Sequence, residues 1–451
     1  MSERPDAGPD GDGRLTFLER VLRIITEVHP GEGVTVVLMA LNLFLVLTAY
    51  YMLKTIREAL ILTEGGAAVK TYSAAGQALL LLVLVPAFGV LASRVRRVML
   101  LRAVTLFFVA NIVLFFLAGI SGLHVGVPFF VWVGIFNVMI VAQYWALAND
   151  IYTPEQGKRL FAVVALGSNV GAWLGALWAG DLIRRLGPYR LMLIAAGVLA
   201  ACVAVAEVIN LRQAERARTV EGAVAEQPLG REGGFELIWK DRYLLLIALL
   251  IVVLNVVNTT GEYILGKFVV AESIARFGAT EATLDARQKF IGGFYGQFFS
   301  YVNLASFLLQ MFAVSRIIRI LGVGGAMFVH PLVAFVGYLS VFRWPGLMAA
   351  RICKTFDNTI DYSLGKTAQQ ALWLPTSREA KYKAKQAVDA FFMRAGDVIS
   401  AGLVFMGERL ALAMPTFAAI NVGLAVVWAL ILSRLAPENR RRMEEAAARA
   451  A

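Results

Sequence analysis

Cysteine is almost missing from this chain: two in 451 residues, Cys202 and Cys353. Both fall within apolar runs, so they read as small packing residues, with no disulfide framework and no thiolate metal site. Histidine is nearly as scarce. His29, His124 and His330 lie far apart in sequence and offer no metal-ligand spacing. Charged residues make up only 17% of the chain, below the share expected of a soluble globular domain. There is no Gly-x-x-x-x-Gly-Lys phosphate loop and no catalytic triad pattern, which argues against an ATP-hydrolysing pump, an enzyme or a bound cofactor. No cleavable leader is visible either. Residues 1–13 are polar and rich in Gly, Pro and Asp, and read as disordered.

What remains is apolar. Hydrophobic residues make up 59% of the chain and the mean hydropathy is +0.67. Twelve runs approach the length that spans a bilayer of about 30 Å: 34–53, 71–92, 98–119, 127–148, 161–183, 190–211, 243–265, 293–314, 322–342, 345–374, 387–410 and 413–433. The expected fold is therefore all-α and integral to the membrane. The net charge of +11 follows the loops. The N-terminus, the even-numbered turns and the C-terminal tail hold 27 Lys and Arg, against 12 on the other side. The positive-inside rule then puts both termini in the cytoplasm and accounts for the basic balance without nucleic acid. Leu15, Leu18, Leu22 and Ile25 line one face of a short helix flanked by Arg14, Arg20 and Arg23. This helix either lies on the membrane surface against lipid phosphates or packs on the bundle.

The widest polar break, 212–242, divides six runs from six. The expected parts are an N-terminal segment 1–33, a six-helix half 34–211, the linker 212–242, a second half 243–433 and a tail 434–451. The halves repeat weakly. Ser93-Arg94-Val95-Arg96-Arg97 is echoed by Ser315-Arg316-Ile317-Ile318-Arg319, Pro154 by Pro375, and Tyr51-Met52-Leu53 by Tyr263-Ile264-Leu265. The matches keep the same order, which implies a parallel duplication, and two such halves resemble the major facilitator architecture. The stretch Phe88 to Arg97 also resembles that superfamily's loop after its second span, with Ser93 in place of the acid.

The run 345–374 carries Arg351, Lys354, Asp357, Asp361 and Lys366. At about 100° per residue, Arg351, Lys354, Asp357, Asn358, Asp361, Gly365 and Gln369 share one arc of about 120°. Charges at the bilayer centre cost about 2.5–3.5 kcal/mol each on insertion scales, so this stripe must face a bundle interior or a watery cavity. In the seventh run Asn255, Asn258 and Glu262 share a face. Equivalent positions in a parallel repeat would set Arg57 opposite Glu262. Arg57 offers a bidentate fork to an anion, or else pairs with Glu58. Lys54 either approaches the same cavity or reaches the headgroups. Arg394 and Asp397 are spaced to pair. Asn169 lies in a Gly-rich series (Gly167, Gly171, Gly175) that reads as close helix packing. Trp145 and Trp373 read as interface anchors.

Three stretches carry a closer likeness: Leu53-Lys54-Thr55-Ile56-Arg57-Glu58-Ala59-Leu60; Tyr144-Trp145-Ala146-Leu147-Ala148-Asn149-Asp150 continuing to Lys158-Arg159-Leu160-Phe161; and Leu374-Pro375-Thr376 continuing through Lys381, Lys383 and Lys385 to Asp389. Together they resemble the ATP/ADP translocase family of nucleotide transporters. The resemblance implies a multi-pass protein, as in a bacterial inner membrane, that exchanges nucleotides or a related organic anion. Beside the resemblance, the residues themselves offer Lys54, Arg57, Asn258, Arg351, Lys354 and Asn358 as candidate substrate contacts. Coupling or gating would fall to Glu58, Asp150, Arg159, Glu262, Asp357, Asp361, Lys383, Lys385, Arg394 and Asp397. The expected partners are a small-molecule substrate, ATP or ADP among the options, and membrane lipid. Arg57, Asp150 and Ala384 depart from the family's usual residues, which leaves the ligand open. Two other readings stand beside it: a proton-coupled facilitator for a lipid or other amphiphile, with Glu262 or Asp361 as proton carrier, and a membrane scaffold or sensor that moves nothing.

Overall fold

The computed structural model describes residues 15–24, 26–92, 97–216, 234–377 and 379–450. Among these residues the chain is helical, with no strand. The loop residues Ser93–Arg96 and most of the expected linker, 217–233, lie outside the described residues.

Helix α1 (Phe17–Leu22) opens on a capping box. The Thr16 hydroxyl accepts from the Glu19 backbone N–H while the Glu19 carboxylate accepts from the Thr16 N–H. Leu22 packs with Val28, Val36 and Met39, so α1 docks on the bundle, the second of the two placements expected from sequence. Four helices follow: α2 (Gly33–Glu64), α3 (Gly66–Ala92), α4 (Arg97–Ile120) and α5 (Gly126–Ile151). The α2–α3 reversal turns on Gly66, whose φ of 75° lies in the region that only glycine enters freely.

Next comes α6 (Pro154–Arg216), 63 residues long and interrupted at Gly187 (φ 81°, ψ 171°) just before Pro188. The interruption is a reversal. On its first limb Gly167, Gly171 and Gly175 lie against the α2 backbone at Ala40, Phe44 and Thr48, so the two run parallel. A Cβ on Gly175 would stand 2.7 Å from Thr48 Cα, which is why this series is glycine. On the second limb the Cys202 carbonyl accepts from Asn42 Nδ2 at 2.8 Å, back beside the start of α2.

The remaining helices are α7 (Gly234–Lys240), α8 (Arg242–Phe277), α9 (Leu284–Phe312), α10 (Val314–Met327), α11 (Val329–Arg343), α12 (Leu347–Ile360), α13 (Lys366–Ala371), α14 (Lys385–Ala387), α15 (Met393–Arg409) and α16 (Met414–Ala450). A π-helical turn, Asp361–Gly365, joins α12 to α13, and two more, Ala380–Ala384 and Val388–Phe392, flank α14. Such turns often mark functional stretches.

Among the described residues eight helices are long and apolar enough to cross a membrane, or nine if the pair bent by 76° around Ala313 is one span. The α12–α13 rod is too charged to count among them. Large apolar side chains such as Leu79, Phe107 and Leu332 project outward, more than half exposed, as a lipid-facing belt would require.

The helices before residue 216 pack chiefly on one another, as do most of those after 242; α9 is the exception and lies mainly against α6 and α2. These are called here the N-terminal and C-terminal groups. Glu32 at the start of α2 pairs with Arg159 at the start of α6 (3.1 Å), and Asp241 at the start of α8 pairs with Arg442 near the chain end (2.8 Å). Helices α2 and α8 run the same way: Glu58 and Glu262 share the Lys70 ammonium, and one turn further along each helix a Cβ on Gly266 would lie 3.3 Å from Leu62 Cδ2 and 3.1 Å from Ala67 Cβ. The starts of both groups therefore share one end of the bundle, the base.

Candidate functional site

The expected stripe on α12 divides along its length. Lys354 is almost wholly buried, and its ammonium meets Asp357 Oδ2 at 2.9 Å, Asn258 Oδ1 at 2.8 Å and Glu262 Oε1 at 3.8 Å. Asp357 is held further by Tyr338, whose hydroxyl donates at 3.3 Å, and by His330 Nε2 at 3.0 Å. Asn358 Nδ2 reaches Glu262 Oε1 at 3.5 Å. So α8 and α12 of the C-terminal group share one polar seam.

The seam continues across to the N-terminal group through a residue that the sequence reading left in a loop. Lys70, on the first turns of α3, places its ammonium 2.7 Å from Glu58 Oε2 and 3.2 Å from Glu262 Oε2. Glu58 Oε1 takes the Arg57 guanidinium at 2.6 Å. The expected facing of Arg57 and Glu262 is thus corrected. Arg57 turns to Glu58, with its guanidinium 4.5 Å from the Phe130 ring centre, and Lys70 takes Glu262. Three cations (Arg57, Lys70, Lys354) meet three carboxylates (Glu58, Glu262, Asp357), and the seam is close to neutral. That balance is what allows it to sit in an apolar bundle.

Lys54 stands apart from this balance. One turn earlier on α2, its ammonium lies 4.2 Å from the Phe299 ring centre, 5.2 Å from Tyr51 and 6.0 Å from Tyr362. Among the described residues no carboxylate comes within salt-bridge distance of it. Ring faces attract a cation but do not neutralise it. Lys54 therefore faces inward, not toward headgroups. Tyr51 and Tyr362 also line a cavity of about 170 Å³ between α2, α6, α9 and the Asp361–Gly365 turn, with Ser168, Asn169, Asn303 and Gln310 around it. Asn169 thus lines a cavity, while its neighbouring glycines do the packing. The cavity roof is fixed by Tyr51, which donates to Asn303 Oδ1 at 2.9 Å.

The other expected residues are spread over the bundle. Asn255 leaves the α8 polar face to bond Asp397 Oδ1 (2.8 Å), and Arg394 meets Asp397 Oδ2 at 3.5 Å as the spacing predicted. Lys385 bonds Gln370 Oε1 at 2.6 Å and, with Lys381, Asp389 and Arg394, lines a cavity of about 540 Å³ whose far wall is Leu81, Leu82 and Pro86 of α3. Lys383 is half-buried on the same turn. Arg159 is tied to Glu32 at the base, and the side chain of Asp150 lies outside the described residues. Arg351 is not in the seam. It projects toward the end opposite the base, 5.1 Å from the Phe294 ring centre. Asp361 has a buried Oδ1 with no hydrogen-bond donor. Trp373 is buried, not an interface anchor.

Lys70, His330 and Tyr338 were missed. A lone Lys among Gly, Ala and Thr at the head of an apolar run was the available signal for Lys70; His330 carried none.

Glu32 lies outside the spans. Burial works to raise its carboxyl pKa, but hydrogen bonds from Arg159, the His29 backbone N–H and Gln156, with the Arg159 charge, outweigh it and hold the pKa below the ordinary value.

No protein-family profile matches the chain. It is similar in sequence to ADP,ATP carrier protein 1 of Chlamydia trachomatis, 21% identical over 345 residues, which cover 66% of this chain and 62% of the carrier. The carrier of the same name from Chlamydia pneumoniae is 19% identical over 346 residues, covering 66% and 64%. The chain therefore spans less than two thirds of the length of these curated relatives. Among solved structures, a bacterial homologue of the iron transporter ferroportin in an inward-facing state superposes with a TM-score of 0.63 at 11% identity, over 89% of this chain and 98% of that one. The nucleoside transporter NupG gives 0.62 at 11%, over 89% and 98%. The chain has the helical fold of these transporters.

Proposed function

We propose that the chain is a secondary transporter of twelve spans in two parallel six-helix halves, exchanging nucleotides or a related organic anion by alternating access. In this reading the halves are the N- and C-terminal groups, and they rock about a site at their midplane. The observation that carries it is Lys54, a cation with no carboxylate at salt-bridge distance among the described residues, held beside Tyr51 and Tyr362, two rings that line a polar cavity shared by both groups. The neutral seam beside it supplies structure, so an anion would meet the field of Lys54. The aromatic rings around the ammonium suit a flat heterocycle. Similarity to ADP,ATP carriers supports the nucleotide class.

The contacts joining the groups, Tyr51 to Asn303, Lys70 to Glu262 and Gly180 to Gly296, run from the cavity toward the end away from the base. That pattern fits a state open toward the base, which is the cytoplasmic side in this reading. The test is uptake of labelled ATP by vesicles containing the purified protein and preloaded with ADP. Uptake that needs internal ADP supports exchange. No uptake by folded protein removes it.

A second reading, proton-coupled transport, is favoured by His330. Its Nε2 is bound to Asp357 while its buried Nδ1 has no hydrogen-bond partner among the described residues. Accumulation driven by a pH gradient in empty vesicles would select it.

A further inference from the structure

We infer that the chain carries a second anion site, for a phosphate-bearing ligand, at the end of the bundle opposite the base. A cavity of about 430 Å³ opens there between the two groups. Its wall from the N-terminal group is Arg184 of α6, and its wall from the C-terminal group includes Arg276 of α8, Phe290 and Phe294 of α9, and Arg351 of α12. All three basic residues are arginines, whose planar forks match phosphate oxygens two at a time.

Their charges are incompletely compensated. Arg276 meets Glu272 at 2.7 Å. Asp181 serves two arginines, Arg185 at 3.1 Å and Arg184 at a looser 3.9 Å. Arg351 has no carboxylate within salt-bridge distance among the described residues; its guanidinium lies 5.1 Å from the Phe294 ring centre and 5.6 Å from that of Tyr301. Three guanidinium groups and one carboxylate, Glu272, thus line the cavity, and Asp181, which Arg184 shares with Arg185, lies outside that lining. An aromatic floor orients Arg351 without neutralising it, which leaves its donors for a ligand.

This site is separate from the Lys54 cavity and stands whether or not the chain moves nucleotides. Because Arg184 comes from one group and Arg276 and Arg351 from the other, an anion held by both would favour the arrangement seen here over one in which the groups part at this end.

The phosphate could belong to a soluble molecule or to a lipid headgroup, and the experiment separates them. The full chain is placed in nanodiscs of neutral phosphatidylcholine, and inorganic pyrophosphate is titrated in by calorimetry. Saturable binding is expected, weakened at least tenfold in Arg351→Gln and in Arg184→Gln and unchanged in Arg409→Gln, an arginine outside the cavity. In nanodiscs containing phosphatidylglycerol, loss of pyrophosphate binding would assign the site to lipid, and retention would assign it to soluble phosphate. Thermal melting checks that each variant is folded, and Arg276→Gln stands in if Arg351→Gln is not. No pyrophosphate binding in neutral nanodiscs together with no Arg351-dependent retention of phosphatidylglycerol would overturn the inference. So would binding that Arg351→Gln and Arg184→Gln leave unchanged.

Discussion

Lys70 of α3 and Glu262 of α8 meet across the boundary between the two groups, ammonium to carboxylate at 3.2 Å, while the same ammonium holds Glu58 at 2.7 Å. One lysine therefore ties together two carboxylates that would otherwise repel each other in a poorly solvated place. Replacing it with methionine keeps the stem but leaves Glu58 with Arg57 alone and Glu262 with only the looser Lys354 contact at 3.8 Å. Breaking a buried pair in this way costs about 3–5 kcal/mol. Lys70→Met should lower the unfolding free energy by about that amount. Adding Glu262→Gln should return part of the loss, because one uncompensated charge is removed. A double-mutant cycle in detergent would measure it; additive effects would mean that the two residues do not interact.

Close approach of the groups depends on Gly180 and Gly296. A Cβ on Gly180 would come to 3.1 Å from Gly296 Cα, in contact with backbone that cannot step aside. Gly180→Val should therefore push the groups apart at this end. Cysteines at Ala67 and Gly266 report it, since a Cβ at Gly266 would lie 3.1 Å from that of Ala67, near the span of a disulfide. Ala67→Cys with Gly266→Cys should cross-link readily in the parent chain and at least several-fold less with Gly180→Val added. Equal yields would show that the glycine pair does not control the approach.

The Glu32–Arg159 pair should give the base a pH dependence. The Glu32 pKa is depressed in the folded chain, so its contribution is fully present above the unfolded carboxylate value of about 4.3. It is lost as pH falls through the lower, folded value. The melting temperature should therefore exceed that of Glu32→Gln from pH 7 to 5, and the gap should close in more acid solution. A gap that widens toward acid would reverse the sign and contradict the pairing.

The general architecture could be read from the chain because membrane helices announce themselves by length and apolarity. The stripe on α12 was also legible. Lys354, Asp357 and Asn358 had to face inward because their charges and amide could not face lipid. What could not be read was the choice of partner. Arg57 has a carboxylate beside it in sequence, Glu58, and another expected across the bundle, Glu262, and only packing decides between them. Lys70 escaped because a lysine at the head of a span looks the same whether it turns to headgroups or into the bundle. Arg351 shares the arc of Lys354 yet lies one turn nearer the end, where the seam gives way to the outer cavity. Periodicity fixes a residue's angle around a helix, and depth along the bundle depends on how the helices are staggered. His330 gave no signal because its partner Asp357 is brought to it by a different helix, α12.

The account rests on Lys54 as the charge that an anion meets. The most direct test compares ATP uptake into ADP-loaded vesicles by the parent chain, Lys54→Gln and Lys54→Arg. Because Lys54 lies outside the Arg57–Lys70–Lys354 seam, both variants should fold and melt close to the parent. The account predicts uptake at least tenfold lower in Lys54→Gln, about 1.4 kcal/mol or more, and partial retention in Lys54→Arg. Exchange that proceeds undiminished in folded Lys54→Gln would contradict it.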